Sequence, residues 1–241
     1  MTTQTAVPRS GDRAPALTLW TMMILTFVTG VVDAVGFLGL DRVFVGNMTG
    51  NIVILGMAVA GADDLPVVGP AIALGTFTFG AFLGGILLRR RRKAWSGAVS
   101  GLLIAGTVTL TGLGAASLVP GWADTTVFEL VASSSTAAVM GVQAAVARSL
   151  AVTDVTTVVV TSTLTSFASE SLVGGGVRGV WNRRLAAIAV IFAGALAGAL
   201  LLNLGLAAPL LLAAALTGVV AALGHGLLYV PVASAASAAP E

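Results

Sequence analysis

Val43-Phe44-Val45-Gly46-Asn47-Met48-Thr49-Gly50-Asn51 is a polar, glycine-broken stretch in a very hydrophobic chain. Its first residues are β-branched or aromatic and read as extended backbone. Asn47 or Thr49 can then N-cap a helix running to about Ala60. A fainter copy stands further along, as Val158-Val159-Val160-Thr161-Ser162-Thr163-Leu164-Thr165. The pair reads as two half-helices facing each other inside a membrane protein.

The solvent follows from composition. Of 241 residues, 57% are hydrophobic and 9% charged, and the mean hydropathy is +1.01. A soluble domain carries about 25% charged residues, so this chain has too few to wet the surface of a water-soluble globule. Several apolar runs exceed the roughly 20 residues that cross a bilayer. The net charge is only +2 and the basic residues are clustered. That pattern suits topology-setting loops and not a nucleic-acid footprint. The chain has no Cys and a single His, His225, which excludes disulfides, thiolate sites and histidine clusters for metal.

Residues 1–16 are rich in Thr, Pro and Arg and read as a disordered cytoplasmic N-terminus. Arg9 and Arg13 precede an apolar run, as in a signal peptide, but the run reaches Leu40, well beyond an h-region of about 7–15 residues. Apolar segments follow at 17–40, 52–60, 67–88, 94–119, 127–150, 185–206 and 210–230. Arg89-Arg90-Arg91-Arg92-Lys93 and Pro120-Gly121-Trp122-Ala123-Asp124 read as connections, as do Gly174-Gly175-Gly176 and Asn182-Arg183-Arg184. The second polar stretch occupies 154–171, and residues 234–241 read as a disordered tail.

Three anchors suggest an internal duplication. Gly30-Val31 corresponds to Gly141-Val142 at an offset of 111, and Thr49 to Thr161 at 112. Gly80-Ala81-Phe82-Leu83-Gly84 corresponds to Gly194-Ala195-Leu196-Ala197-Gly198 at 114. Residues 17–119 and 120–233 thus form two membrane repeats, an organisation common in transporters. The paired glycines lie four apart, on one helix face, where they let backbones approach closely, between repeats or between protomers.

Charge decides whether the polar stretches cross. If both are re-entrant, six segments span, and a cytoplasmic N-terminus puts Arg9, Arg13, Arg89 to Lys93, Arg148, Arg178, Arg183 and Arg184 inside, leaving only Arg42 out. If both cross, the basic residues divide far more evenly between the faces. The positive-inside rule selects the re-entrant topology. Three spans per repeat is odd, so the repeats are inverted and their loops enter from opposite faces.

The run Gly30-Val31-Val32-Asp33-Ala34-Val35-Gly36-Phe37-Leu38-Gly39-Leu40, with 43–51 after it, resembles the YoaK-like family of bacterial multi-pass membrane proteins (domain of unknown function 1275). Gly141-Val142-Gln143 and Thr161-Ser162-Thr163 are similar to that family's second half. Ser162 stands where a second Gly is expected, and Ala144-Ala145 replaces a more polar pair. The resemblance covers nearly the whole chain. It implies an integral inner-membrane protein of about six spans and no particular function.

The candidate path residues are Asp33, Asn47, Thr49, Asn51, Gln143, Thr161 and Thr163. Asp33 lies within a span, where an ionisable group costs about 3 kcal/mol or more. It is either a proton or cation site, or a structural acceptor for Asn47, Thr49 or backbone N–H groups of the broken element. Asn47, Thr49 and Asn51 either cap the half-helix or offer its N-terminus to a small anion or carboxylate. Thr161, Thr163 and Thr165 would act likewise from the other side. Gln143 supplies an uncharged polar group across the pseudo-symmetry axis. Arg148 snorkels, Glu129 is interfacial, and His225 is packed or interfacial. There is no catalytic constellation, no metal set and no cofactor motif: Gly174-Gly175-Gly176 lacks the Lys-Ser/Thr of a phosphate loop.

The expectation is an all-α membrane protein with about six transmembrane helices and two broken or re-entrant half-helix elements, in two inverted repeats. It sits in the bacterial cytoplasmic (inner) membrane with its N-terminus in the cytoplasm. Its partners are the lipid bilayer, a small polar or anionic solute and a homo-oligomer through glycine-rich faces, with no nucleic acid. The function expected is a small-solute transporter or channel, not an enzyme; the alternative is a non-transporting scaffold or accessory subunit.

Overall fold

The computed structural model describes residues 10–62, 64–89, 94–150 and 183–229. Among them are seven α-helices: α1 (Ser10–Gly39), α2 (Met48–Val59), α3 (Val68–Leu88), α4 (Gly97–Ala116), α5 (Thr126–Ser149), α6 (Arg183–Leu201) and α7 (Ala207–Leu228). A single 3-10 turn, Leu202–Leu204, joins α6 to α7. No strand occurs among the described residues beyond an isolated bridge between Trp95 and Tyr229.

Helices are what apolar sequence forms in lipid, because every backbone N–H and C=O must find a partner within the segment. Six helices are long and apolar enough to cross a membrane, and α2 is not among them. Its 12 residues reach about 18 Å at 1.5 Å per residue, against a hydrocarbon core of about 30 Å. Span hydroxyls bond back to carbonyls one turn earlier: Thr76 to Ile72, Thr107 to Leu103, Thr217 to Ala213. Ser96 and Thr125 cap α4 and α5 by accepting from Val99 N and Phe128 N.

The apolar run predicts a start at 17, whereas α1 begins at Ser10. Its membrane-spanning part is Ala16–Gly39. Hydropathy marks where lipid ends, and a helix continues past that limit where its backbone bonds do.

The connections establish direction. Beyond α1 the chain turns through Asp41 and Arg42, both at positive φ (56° and 54°). At the start of α3, a Cβ on Gly69 would meet Val43 and lie 3.7 Å from Asp41 Oδ2. The α1 end and the α3 start therefore share a face, and α2 returns to the side it came from. The charges of Asp41 and Asp124 both reach Glu129 in the first turn of α5, which puts the α4–α5 connection on that face too. Contacts between α4 and α7 run from Gly114 with Leu211 at this end to Ser100 with His225 at the other, so this pair is antiparallel.

The glycine motifs pair helices within the chain. Gly194 packs on Phe27, and Gly198 on Val31 and Ala34; Gly30 in turn packs on Ile191 and Ala195. In the second pair Gly80 packs on Ala138, and Gly84 on Val142 and Ala145; Gly141 packs on Phe77 and Ala81. Adding 111 to the α1 residues and subtracting 114 from the α6 residues converts the first set of contacts into the second, residue for residue. In each case the neighbour includes backbone, as close approach through small residues requires. Of the two uses expected for these faces, between repeats or between protomers, the one seen joins a helix from residues 17–119 to one from 120–233 in each pair. Sequence positions rise together in the α1–α6 pair, so these helices run the same way. The chain leaves α5 at Leu150 and re-enters at Arg183 on the same side, opposite Asp41.

Two measurements check this arrangement. Cysteines placed at Asp64 and Asp124 in the naturally Cys-free chain should react with an impermeant maleimide from one side, and one at Ala94 only from the other. Gly194→Val should destabilise the protein by about 3 kcal/mol or more, while Gly112→Ala, where a Cβ meets nothing within 4 Å, should change stability by less than about 1 kcal/mol; unfolding in detergent reads both.

Candidate functional site

The site forms where α1 meets the chain returning to it. Gly36 allows the first contact: a Cβ there would strike Val43 O, and Val43 N donates to Gly36 O at 3.1 Å. Phe44 stacks on Phe37 with ring centroids 5.0 Å apart. The next residues pass over Asp33, which lies six residues before the end of α1, about 9 Å along its axis. Irregular backbone at this depth would carry bare N–H groups, each costing several kcal/mol in hydrocarbon.

Asp33 meets that demand. Its Oδ1 accepts from Val45 N at 3.0 Å, Gly46 N at 2.6 Å and Asn47 N at 3.3 Å. The side chain is buried, 8% exposed. Oδ2 has no donor among the described residues. Of the partners expected for Asp33, the backbone groups are the ones it takes.

Asn51 closes the next turn. Its Oδ1 accepts from Phe44 N at 2.9 Å and its Nδ2 donates to Phe44 O at 2.6 Å. One fully buried amide thus satisfies both backbone groups of a residue seven positions away. Asn47 caps α2 as expected, with Oδ1 accepting from Gly50 N at 3.2 Å. Thr49 is exposed on the outer flank of α2 and joins none of these bonds.

Gln143 enters from α5. Its Nε2 donates to Leu25 O at 3.2 Å and to Thr29 Oγ1 at 3.3 Å, both on α1. Its Oε1 is buried without a partner, as is Thr136 Oγ1 two turns earlier on α5. Thr29 was not among the sequence candidates. It stands one turn before Asp33 on the same face, so helical spacing from Asp33 could have found it. A Cβ on Gly46 would lie 2.9 Å from Thr29 Cγ2 and 3.4 Å from each Asp33 carboxylate oxygen.

The structure therefore brings together Asp33, Asn47, Asn51 and Gln143, adds Thr29, and sets Thr49 aside. Thr161 and Thr163 lie outside the described residues. Far from this group, His225 Nδ1 is 3.2 Å from Ser100 Oγ, which accepts from Trp95 Nε1 at 2.9 Å. The exposed His225 ring also packs on Tyr229 at 4.9 Å, in the last turn of α7. Arg148 is exposed in the last turn of α5. No cluster of three or more His, Cys, Asp or Glu suited to a metal occurs among the described residues.

The bonds rank the cost of substitution. Asn51→Leu strands both Phe44 groups and should cost about 2–6 kcal/mol, at about 1–3 kcal/mol per unsatisfied buried group. Asp33→Asn keeps an acceptor for the loop and should cost less than Asp33→Leu, which keeps none. Unfolding midpoints in detergent would reverse this order if Asp33 did not hold the loop.

Comparison with known proteins agrees with the architecture. A family model described as "Protein of unknown function (DUF1275)" matches residues 21–223. The UPF0700 transmembrane protein YoaK of Bacillus subtilis (strain 168) is 29% identical over 150 residues. That match spans 62% of this chain and 65% of the relative, a little under two thirds of its length. No solved structure matches. With six membrane-length helices and a family match that includes both the Asp33 loop and Gln143, the chain is an integral membrane protein belonging to the DUF1275 family.

Proposed function

We propose that the protein is a small-solute transporter or channel whose path passes the loop at 45–47. The observation that carries this is the Asp33 knot: irregular backbone held by a buried carboxylate at membrane depth, with a half-helix starting from it. Such backbone is tolerated only when buried in protein or lining a wet cavity, and half-helices ending near the midplane are how many transporters build solute sites. Two unpaired polar atoms on α5, Gln143 Oε1 and Thr136 Oγ1, favour the wet alternative, since buried polar groups without protein partners are ordinarily met by water or solute.

The helix directions support two inverted repeats. Helices α1, α3 and α4 run towards, away from and towards the Asp41 face; α5, α6 and α7 run away, towards and away. The matched glycine contacts of α1–α6 and α3–α5 follow the same duplication. Arg89 and Arg148 lie opposite the face carrying Asp41, Asp64 and Asp124, so the positive-inside rule puts the start of α1 in the cytoplasm of a bacterial inner membrane. A second half-helix at 154–171 would complete the path; it lies outside the described residues. We read the protein as non-catalytic. A scaffold role would draw on the glycine faces, but those of α3 and α6 are used within the chain.

Stopped-flow light scattering on proteoliposomes tests the proposal, with glycerol, urea and alkali chlorides as probe solutes. Protein-dependent flux should appear for at least one, and Asp33→Asn should lower it about ten-fold or more while the protein stays monodisperse. Unchanged flux in a folded Asp33→Asn protein would overturn the path assignment.

A further inference from the structure

The sequence expectation of an anion rests on free N–H donors at the start of α2. The bonds around the loop point to the opposite charge. Phe44 N is taken by Asn51, the N–H groups of Val45, Gly46 and Asn47 by Asp33, and Gly50 N by Asn47. Met48 N and Thr49 N take no part in these bonds, but an anion reaching them would meet a carboxylate beside them.

Acceptors are left over as well. Asp33 Oδ2 has no donor among the described residues, since all three loop N–H groups converge on Oδ1. Gln143 Oε1 is buried and unpaired. Its orientation is not interchangeable with that of Nε2, because Nε2 faces Leu25 O at 3.2 Å and an oxygen placed there would oppose a carbonyl. Both residues border Thr29: Gln143 bonds its hydroxyl through Nε2, while its methyl lies against Gly46, which also abuts both oxygens of Asp33. Asp33 is one turn above Thr29, a spacing that puts Cβ atoms about 5–6 Å apart. An unpaired amide oxygen and a carboxylate oxygen with no donor among the described residues thus belong to two side chains that border one threonine of a membrane-length helix.

We propose that Asp33 and Gln143 bind one monovalent cation on this path, an alkali ion or a small protonated amine. Hard cations take oxygen ligands, and both atoms are oxygens. One carboxylate balances one positive charge, and the described residues hold no second carboxylate cluster to suit a divalent ion. Gly46 keeps the place open, since any side chain there would crowd Thr29 and Asp33. The proposal rests on the solute-path reading and names the charge of what that path accepts.

The test is thermal unfolding and calorimetric titration of the full chain in detergent. Sodium, potassium and methylammonium chlorides are the probes, against N-methylglucamine chloride at equal ionic strength. A saturable stabilisation by at least one small cation is expected, and the responding cation distinguishes the alkali source from the amine. Gln143→Leu removes one acceptor without touching the loop and should weaken apparent affinity by about ten-fold. Asp33→Asn should abolish the effect; should it fail to fold, Gln143→Leu still decides. No stabilisation beyond that of N-methylglucamine, or an unchanged affinity in Gln143→Leu, would overturn the proposal. The two readings fail separately. Cation binding without flux of any solute would remove transport and leave the site. Flux of an uncharged solute by a protein that binds no cation would do the reverse.

Discussion

In lipid a backbone N–H with no partner has no water to fall back on. A chain that interrupts a helix at membrane depth must therefore bring its own acceptors. Here one carboxylate oxygen takes three consecutive N–H groups and one buried amide takes both polar groups of Phe44. These two side chains let the backbone leave α1, fold back against it and begin α2 well below the surface. The open turn at Asp41 and Arg42, the short reach of α2 and the return of α3 to the same face all presuppose them.

Burying a carboxylate is costly, and a shorter route from α1 to α3 would have needed none. The expense falls where the chain also carries unpaired acceptors, Gln143 Oε1 and Thr136 Oγ1, in otherwise apolar surroundings that include Met140 and Val32. Polarity buried within the spans of a membrane protein, and only partly used by the fold, marks a place built to meet something other than protein.

Much of this was legible from sequence, for identifiable reasons. Span number follows from hydropathy, because lipid leaves the backbone no alternative to helix. The Asn47 cap follows from residue type, and the re-entrant path of the first stretch from where the arginines fall. Thr49 stands apart from the bonded group for a reason that position in the sequence does not give: residues two apart on a helix point to nearly opposite sides, so with Asn51 turned inward Thr49 faces away from it. The grip of Asn51 on Phe44 needs the hairpin already closed and has no local signature. Glycine spacing identified a face of each helix but not its partner, which only the packed structure supplies.

The glycine contacts also govern what can move. Where a carbonyl of one helix rests in the notch of another, sliding by a residue would drive a side chain into backbone. The α1–α6 pair and the α3–α5 pair are in this sense two rigid blocks. The loop at 45–47 is fastened to the first block through Asp33 and runs through α2 into the second. Gln143 crosses the same boundary in the other direction, from α5 to Thr29. A displacement of one block against the other therefore acts on the Asp33–Gln143 region before any other polar contact described above, with a single amide as its latch.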